Sequence, residues 1–366
     1  MRVAIPHMGN LYVALKAMFN RLDVDYLVPP QITRRTMSLA VKNSPEGLCI
    51  PFKLTLGNFI EAAELGADTL VVPTGYGTCR LGYYGRIQEQ ILHDMGYKVE
   101  MVPVGVSEQK LAGLLRMIKR LANNAPWPRI ALAMRFGIKK LDALDRVEKR
   151  VQKIRAVEIK KGTANRIYRD AVQAIDAAED AGSLKKVEKD YMDRLDAVEI
   201  DPDASPLVVG VTGEFYVVLE PFSNLDVESE LGKLGVEVRR TTFTSEWTKF
   251  SLFLNPLGMN EKDRVHRAAS PYLKRDIGGD GWESVGEKVL FSGKYDGLVH
   301  LAPFTCMPEI VAQNIMPKTK EDIPVLTIIC DEQLAKTGVL TRLEAFVDLL
   351  ERKRRMANNS KMRVTS

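Results

Sequence analysis

Residues 67–73 of this chain read ADTLVVP, and residues 295–303 read YDGLVHLAP. Each stretch is a turn that leads into a short apolar run, and a short loop then leads to a cysteine, Cys79 or Cys306. Such runs predict buried strands, and strands that alternate with helical stretches predict a mostly parallel sheet. Each cysteine is then expected just beyond the carboxyl end of a strand, where open parallel sheets bind their ligands.

The pattern on either side of these two stretches predicts an α/β fold of two Rossmann-like domains with parallel sheets. We expect the first domain over residues 1–106, with Cys49 and Cys79, and the second over residues 205–366, with Cys306 and Cys330. Residues 107–204 are rich in Lys, Arg, Glu, Ala and Leu and poor in strand formers, which predicts a helical segment that joins the two domains.

Composition limits the classes of function that need consideration. The 366 residues are 45% hydrophobic and 27% charged, with a net charge of +5, which is ordinary for a globular protein. The mild positive charge is spread along the chain, so it favours an anionic small molecule or a protein partner over nucleic acid. Residues 1–30 lack the pattern of a signal peptide, and no apolar run approaches about 18 residues, so we expect a cytoplasmic protein without a membrane span.

In a reducing compartment, four cysteines are more often metal ligands, reactive thiols or core residues than disulfides. No two of Cys49, Cys79, Cys306 and Cys330 form a CxxC pair, so a site built from them must be assembled by the fold. The first three stand among Gly, Pro and polar residues, and each precedes a predicted helix, whose N-terminal N–H groups stabilise thiolates and anionic clusters. Cys330 ends an apolar strand, where it is either a ligand or a core residue.

Several motifs resemble the 2-hydroxyacyl-CoA dehydratase family, and most of all its acyl-CoA dehydratase activase-related branch. The similarity covers most of residues 1–105 and 205–350. In the first half, the motifs are CIPFK at 49–53, GN at 57–58, GAD at 66–68 and GTCR at 77–80. In the second half, they are GGDG at 278–281, PFTCMPE at 303–309, DE at 331–332 and TRLEAF at 341–346.

The resemblance implies that Cys49, Cys79 and Cys306 hold a [4Fe–4S] cluster between two Rossmann-like domains, with one iron open. A larger iron–sulfur cluster would need both subunits of a dimer, or Cys330. The resemblance also implies a partner, an ATP-hydrolysing activase that carries its own [4Fe–4S] cluster. This chain has no GxxxxGK[ST] motif, so ATP hydrolysis is expected from that partner. A homodimer or heterodimer is expected, although a single sequence does not decide between them.

The leading hypothesis is an iron–sulfur protein of anaerobic metabolism that acts in low-potential electron transfer, or as an ATP-dependent reductase component, and is supplied by the separate activase. Two alternatives stay open: a 2-hydroxyacyl-CoA dehydratase subunit, which is a lyase, and a non-catalytic cluster carrier. Weaker candidates for the site are Lys53, Arg80, Tyr83, Tyr84 and Glu214. Arg80 could pair with cluster charge, the tyrosines could shield the cluster from water, and Glu214 could line the cleft between the domains.

Overall fold

The computed structural model of the chain describes residues 1–73, 79–104, 111–249, 263–275 and 277–364. These residues form two four-stranded parallel sheets with helices packed against them. The predicted α/β fold with two Rossmann-like halves is therefore confirmed. Gly77 and Thr78, which precede Cys79 in the sequence motif, lie outside the described residues.

The first sheet has the strand order β2-β1-β3-β4, and all its neighbouring strands are parallel. Its strands are β1 (Val3–Ala4), β2 (Tyr26–Leu27), β3 (Thr69–Pro73) and β4 (Glu100–Val104). Its helices are α1 (Leu11–Arg21), α2 (Arg34–Asn43), α3 (Ile50–Glu64), α4 (Leu81–Asp94) and α5 (Leu111–Leu121). Because parallel strands need a crossover between them, helices separate most of the strands along the chain.

Helix α3 is buried along nearly its whole length, since every residue from Ile50 to Ala62 is inaccessible to solvent. A helix that is apolar on most sides must lie inside the molecule. Pro51 stands in its first turn, where the missing N–H would have had no helical partner in any case. This internal helix begins directly after Cys49 and therefore fixes that cysteine in the interior.

Three helices with a core of their own follow: α6 (Trp127–Val157), α7 (Thr163–Ala177) and α8 (Ala181–Asp196). The long helix α6 contacts α1 of the first half and also packs against the second half, so it connects the two. Helix α5 instead packs on the first sheet, because Leu114, Met117 and Leu121 share a core with Val71 and Val102.

The second sheet has the order β6-β5-β7-β8 and is also parallel. Its strands are β5 (Leu207–Gly213), β6 (Val236–Arg240), β7 (Gly297–Pro303) and β8 (Val325–Cys330). Its helices are α9 (Phe215–Leu219), α10 (Pro221–Asn224), α11 (Val227–Lys233), α12 (Thr244–Lys249), α13 (Asp263–Ala269), α14 (Gly281–Phe291), α15 (Met307–Ile315) and α16 (Lys336–Val364). None of the described helices combines the length and the apolar character that a membrane crossing needs.

In both sheets, the second strand along the chain pairs with one edge of the first strand, and the third strand pairs with its other edge. The strand order therefore reverses between β1 and β3 and again between β5 and β7. Ligands of open α/β sheets bind outside the carboxyl ends of the strands at such a point. Cys79 follows β3, Cys306 follows β7, and Glu214 follows β5, so all three lie at these ends.

Candidate functional site

Cys49 lies at the N-terminus of α3 and is 7% exposed. Burial raises the pKa of its thiol to about 11. Two hydrogen bonds act against burial, one from the Tyr84 hydroxyl and one from the backbone N–H of Phe52. Both partners favour the thiolate, but burial prevails, and the Cys49 thiol is neutral at pH 7.

Cys79 lies immediately before α4 and is half-buried. Burial raises the pKa of its thiol, and the backbone N–H of Leu81 opposes this effect. The helix that follows Cys79 also carries Tyr84, so α4 contributes to the surroundings of two cysteines.

Cys306 lies at the N-terminus of α15 and is 8% exposed. Burial is the main cause that raises the pKa of its thiol, and the carboxyl groups of Glu309 and Glu214 add to it. The backbone N–H of Glu309 donates to the sulfur and has the opposite effect. All three cysteines thus share one local design, in which an N–H group from the first turn of a helix points at the sulfur.

These three thiols also share one electrostatic environment. Besides burial, the Glu214 carboxyl raises the pKa of Cys49, Cys79 and Cys306, as it does that of Cys330, and Cys49 contributes to the pKa of Cys306. Effects of this kind act over short distances. The hydrogen bonds of Arg80 to the carbonyl oxygens of Gly47 and Thr305 show that the loops before Cys49 and Cys306 approach each other, although the two cysteines are 257 residues apart in the sequence.

A family profile described as CoA enzyme activase uncharacterised domain matches residues 2–243, which are 242 of the 366 residues. The chain belongs to this family. The activase-related part of the resemblance is therefore confirmed, and the matched family is an activase domain rather than the dehydratase itself. No curated protein matches the sequence.

In this CoA enzyme activase-family chain, the matched region contains Cys49 and Cys79 and ends before Cys306. Among the described residues, no three His, Cys, Asp or Glu side chains are close enough together to hold a single metal ion. Ligands of a [4Fe–4S] cluster bind different irons, so their sulfurs surround the cluster rather than a common point. The absence of such a group among the described residues therefore concerns single-ion sites.

Cys330 has different surroundings from the other three cysteines. It is the last residue of β8, is fully buried, and belongs to the apolar core of the second sheet with Val299, Leu301 and Ile328. Burial raises the pKa of its thiol to about 12, and Glu214 adds to this. Its backbone pairs with Pro303 in the sheet, so Cys330 lies beneath the loop that carries Cys306.

Glu214 raises the pKa of all four cysteine thiols, whereas its sequence position indicated only that it could line the cleft. It follows β5, and one carboxylate oxygen accepts the N–H of Val217 at 3.1 Å. Burial raises its pKa to about 8, with further contributions from Asp280 and Glu309. Gly213 precedes it with φ +137°, and a Cβ there would lie 2.0 Å from the Leu301 carbonyl oxygen. The strand end therefore requires glycine immediately before Glu214.

A buried hydrogen-bond network anchors α15 below Cys306. Both Glu309 and His300 are 0% exposed, and Glu309 Oε2 lies 2.7 Å from His300 Nε2. The Ser284 hydroxyl donates to the same oxygen at 2.8 Å. An acidic residue in the first turn of a helix is favourable in itself, and Glu309 has that position in α15. The fold shows that it also ties the cysteine-bearing helix to β7 and α14.

Lys53 of the CIPFK motif makes an ion pair between the two halves. Its Nζ lies 2.7 Å from Glu332 Oε1, and its side chain is 3% exposed. Glu332 follows β8 in the second half, so the pair joins α3 to that loop. The positive charge of Lys53 is therefore already paired with the Glu332 carboxylate of the protein itself.

Proposed function

We propose that this chain is an iron–sulfur protein in which Cys49, Cys79 and Cys306 hold a [4Fe–4S] cluster and which acts in low-potential electron transfer. The single observation that carries the proposal is the repeated local design of these three positions. Each sulfur lies at or just before a helix start and receives a backbone N–H group. Unrelated core cysteines have no reason to share that arrangement.

The chain's own residues are suited to bind and tune an anionic group. Helix N-termini carry partial positive charge, and hydrogen bonds to cysteine sulfur stabilise the thiolate and raise the potential of a bound cluster. Burial of Cys49 and Cys306 keeps water away from their sulfurs. When bound, a [4Fe–4S] cluster supplies one-electron transfer at low potential.

Three cysteines leave one iron without a protein thiolate. We propose that Cys330 is a core residue and not a fourth ligand, because it lacks the helix-start N–H donor of the others and packs among aliphatic side chains. An open iron would allow a small ligand or substrate to bind, as in the alternative dehydratase-type lyase. A larger cluster would require a second subunit.

We further propose that an ATP-hydrolysing activase with its own [4Fe–4S] cluster supplies the electrons. The family description, CoA enzyme activase uncharacterised domain, supports a functional link to activase systems. The absence of a GxxxxGK[ST] motif in the sequence supports a separate ATPase.

The proposal is tested by anaerobic reconstitution of the full chain with iron and sulfide. We expect about four irons and four sulfides per chain, a visible absorption band and an EPR signal after reduction. Cys49→Ser, Cys79→Ser and Cys306→Ser should each lose most of the cluster. Cys330→Ser is the matched control and should retain it.

A colourless, iron-free protein after reconstitution would contradict the cluster. Loss of the cluster in Cys330→Ser at normal folding would contradict the three-ligand site. ATP-dependent reduction by an activase supports electron transfer, whereas rapid transfer of the whole cluster to an apo-acceptor would favour a carrier. A spectral change on addition of an acyl-CoA would favour the dehydratase.

A further inference from the structure

We propose that Arg80 is a positioning residue that fixes the three cysteine-bearing loops relative to one another before any cluster binds. This inference deepens the proposed function and rests on it for the identity of the bound group. The geometry that carries it, however, belongs to the protein alone. We call Arg80 and its two main-chain partners, Gly47 and Thr305, the guanidinium clamp.

The clamp reaches all three loops with one side chain. Arg80 directly follows Cys79, and its Nη1 donates to the carbonyl oxygen of Gly47 at 3.0 Å, two residues before Cys49. Its Nη2 donates to the carbonyl oxygen of Thr305 at 2.7 Å and contacts the Thr305 hydroxyl at 3.2 Å. Thr305 directly precedes Cys306. A single planar group therefore links the neighbours of the three cysteines.

Guanidinium chemistry is needed for this task. Arginine presents donors in a rigid planar fork, whereas lysine offers one point of charge on a flexible chain. Two carbonyl groups on loops from different halves of the molecule can therefore be held at a fixed separation by Arg80. A lysine at this position would reach one of them at a time.

Thr305 gives independent support, because its backbone has φ +65°. A β-branched residue in this region is a genuine outlier, and such conformations persist only where surrounding contacts enforce them. The clamp provides contacts to both the carbonyl and the hydroxyl of Thr305. The strained residue sets the direction in which the chain enters Cys306, so loss of Arg80 should let this loop relax.

Arg80 is exposed, and its role is therefore separable from core packing. Removal of an exposed arginine leaves no cavity, so a variant should still fold. Substitution of Arg80 should change mainly the geometry of the three cysteine-bearing loops. This distinguishes the clamp from a general contribution to stability.

The first test uses the iron-free protein and needs no cluster. Mass spectrometry measures the rate at which iodoacetamide alkylates each cysteine in the wild type, Arg80→Gln and Arg80→Lys. We expect Cys306 to react about tenfold faster in both variants, the scale of a lost hydrogen bond to a charged donor. Arg129→Lys is the matched control, because Arg129 also donates to a main-chain carbonyl, that of Arg21, far from the cysteines. It should leave the rate unchanged.

Thr305→Gly provides a second-site test. Glycine adopts positive φ without steric strain, so the loop should no longer depend on the clamp to the same degree. We expect Arg80→Gln to have a smaller effect on the alkylation of Cys306 in the Thr305→Gly background than in the wild type. A merely structural contribution of Arg80 would give equal effects in both backgrounds.

The second test uses the reconstituted protein. We expect Arg80→Gln and Arg80→Lys to shift the midpoint potential and the EPR line shape of the cluster. Unchanged alkylation of Cys306 in Arg80→Gln would overturn the clamp, and wild-type behaviour of Arg80→Lys would overturn the need for a fork. Failure of the wild type to assemble a cluster would refute the proposed function. The alkylation comparison would still decide on the clamp.

Discussion

Two adjacent tyrosines, Tyr83 and Tyr84, have different positions at the start of α4. Tyr84 is 3% exposed, its hydroxyl is hydrogen-bonded to Cys49 Sγ, and its ring packs edge-on against Phe52 with centroids 4.9 Å apart. Tyr83 is 63% exposed. Because 100° of rotation per helical residue separates neighbours, only one of the two faces the interior. Tyr84 is therefore the tyrosine that modifies the chemistry of a cysteine.

Tyr84→Phe should make the Cys49 thiol harder to ionise. Burial raises the pKa of Cys49, the Tyr84 hydroxyl lowers it, and the variant removes only the second effect. We expect alkylation of Cys49 in the iron-free protein to become about tenfold slower at a fixed pH, since the thiolate is the reactive form. The rate is measured against pH by mass spectrometry. Tyr83→Phe is the control, and an identical profile for both variants would refute the role of Tyr84.

At the scale of elements, the close approach of α2 and α3 holds Cys49 in place. A Cβ on Gly57 in the middle of α3 would lie 2.2 Å from the carbonyl oxygen of Thr36 in α2. Glycine normally weakens a helix interior, so its presence here has a packing reason. The Thr36 hydroxyl also donates to Glu61 Oε2 at 2.8 Å, which joins the same two helices.

Gly57→Ala should destabilise the protein by about 2 kcal/mol or more, because the overlap with backbone outweighs the gain in helix propensity. Gly338→Ala in α16 is the matched control, since a Cβ there would have no neighbour within 4 Å. We expect this control to raise the free energy of unfolding by about 0.5–1 kcal/mol. Urea denaturation measures both. A neutral result for Gly57→Ala would show that the two helices can move apart.

At the scale of the whole molecule, the two halves share an apolar core, in which Met8, Ile50 and Leu54 pack with residues of the second sheet, and directed polar contacts join them near the cysteines. The ion pair between Lys53 and Glu332 is one, and the hydrogen bonds of Arg80 are another. Burial alone would raise the pKa of Glu332, but Lys53 holds it below its ordinary value of 4.5. A carboxyl whose pKa is lowered on folding contributes stability above its unfolded pKa, and this contribution is lost as the pH falls below about 4.5.

A double-mutant cycle with Lys53→Met and Glu332→Gln should give a coupling energy of about 1–3 kcal/mol at neutral pH, because removal of one partner leaves a buried charge unpaired. The coupling should decrease as the pH falls below 4.5 and vanish once Glu332 is protonated, at a pH below its lowered pKa. Lys149→Met with Glu246→Gln is the matched control, since that pair lies 2.9 Å apart with both side chains more than two-fifths exposed. We expect the control cycle to give a much smaller coupling. Equal coupling in the two cycles would contradict a special role for the buried pair.

The sequence best predicted the bounds of those elements that depend mainly on local residues. The apolar run from Leu207 predicted β5, and the apolar run before Cys330 predicted β8, both close to their observed bounds. The stretch VDYLV at residues 24–28 predicts a strand of five residues, but the observed strand is shorter, since only Tyr26–Leu27 pairs with β1 at the edge of the sheet. Over residues 107–204, the charged, alanine-rich composition predicts two or three helices, whereas the described residues of this range form four. Charged, alanine-rich sequence favours helix throughout but does not show where one helix ends.

The sequence by itself determined that Cys49, Cys79 and Cys306 precede helices, because Gly and Pro residues followed by helical patterns are local signals. It also determined the two parallel sheets, through apolar runs that alternate with helical stretches. Only the tertiary structure decided that Arg80 contacts Thr305, 225 residues away, and that Glu214 and Tyr84 adjoin the thiols. Local patterns report the neighbours of a residue in the chain, whereas a site assembled from three loops depends on how the whole chain packs.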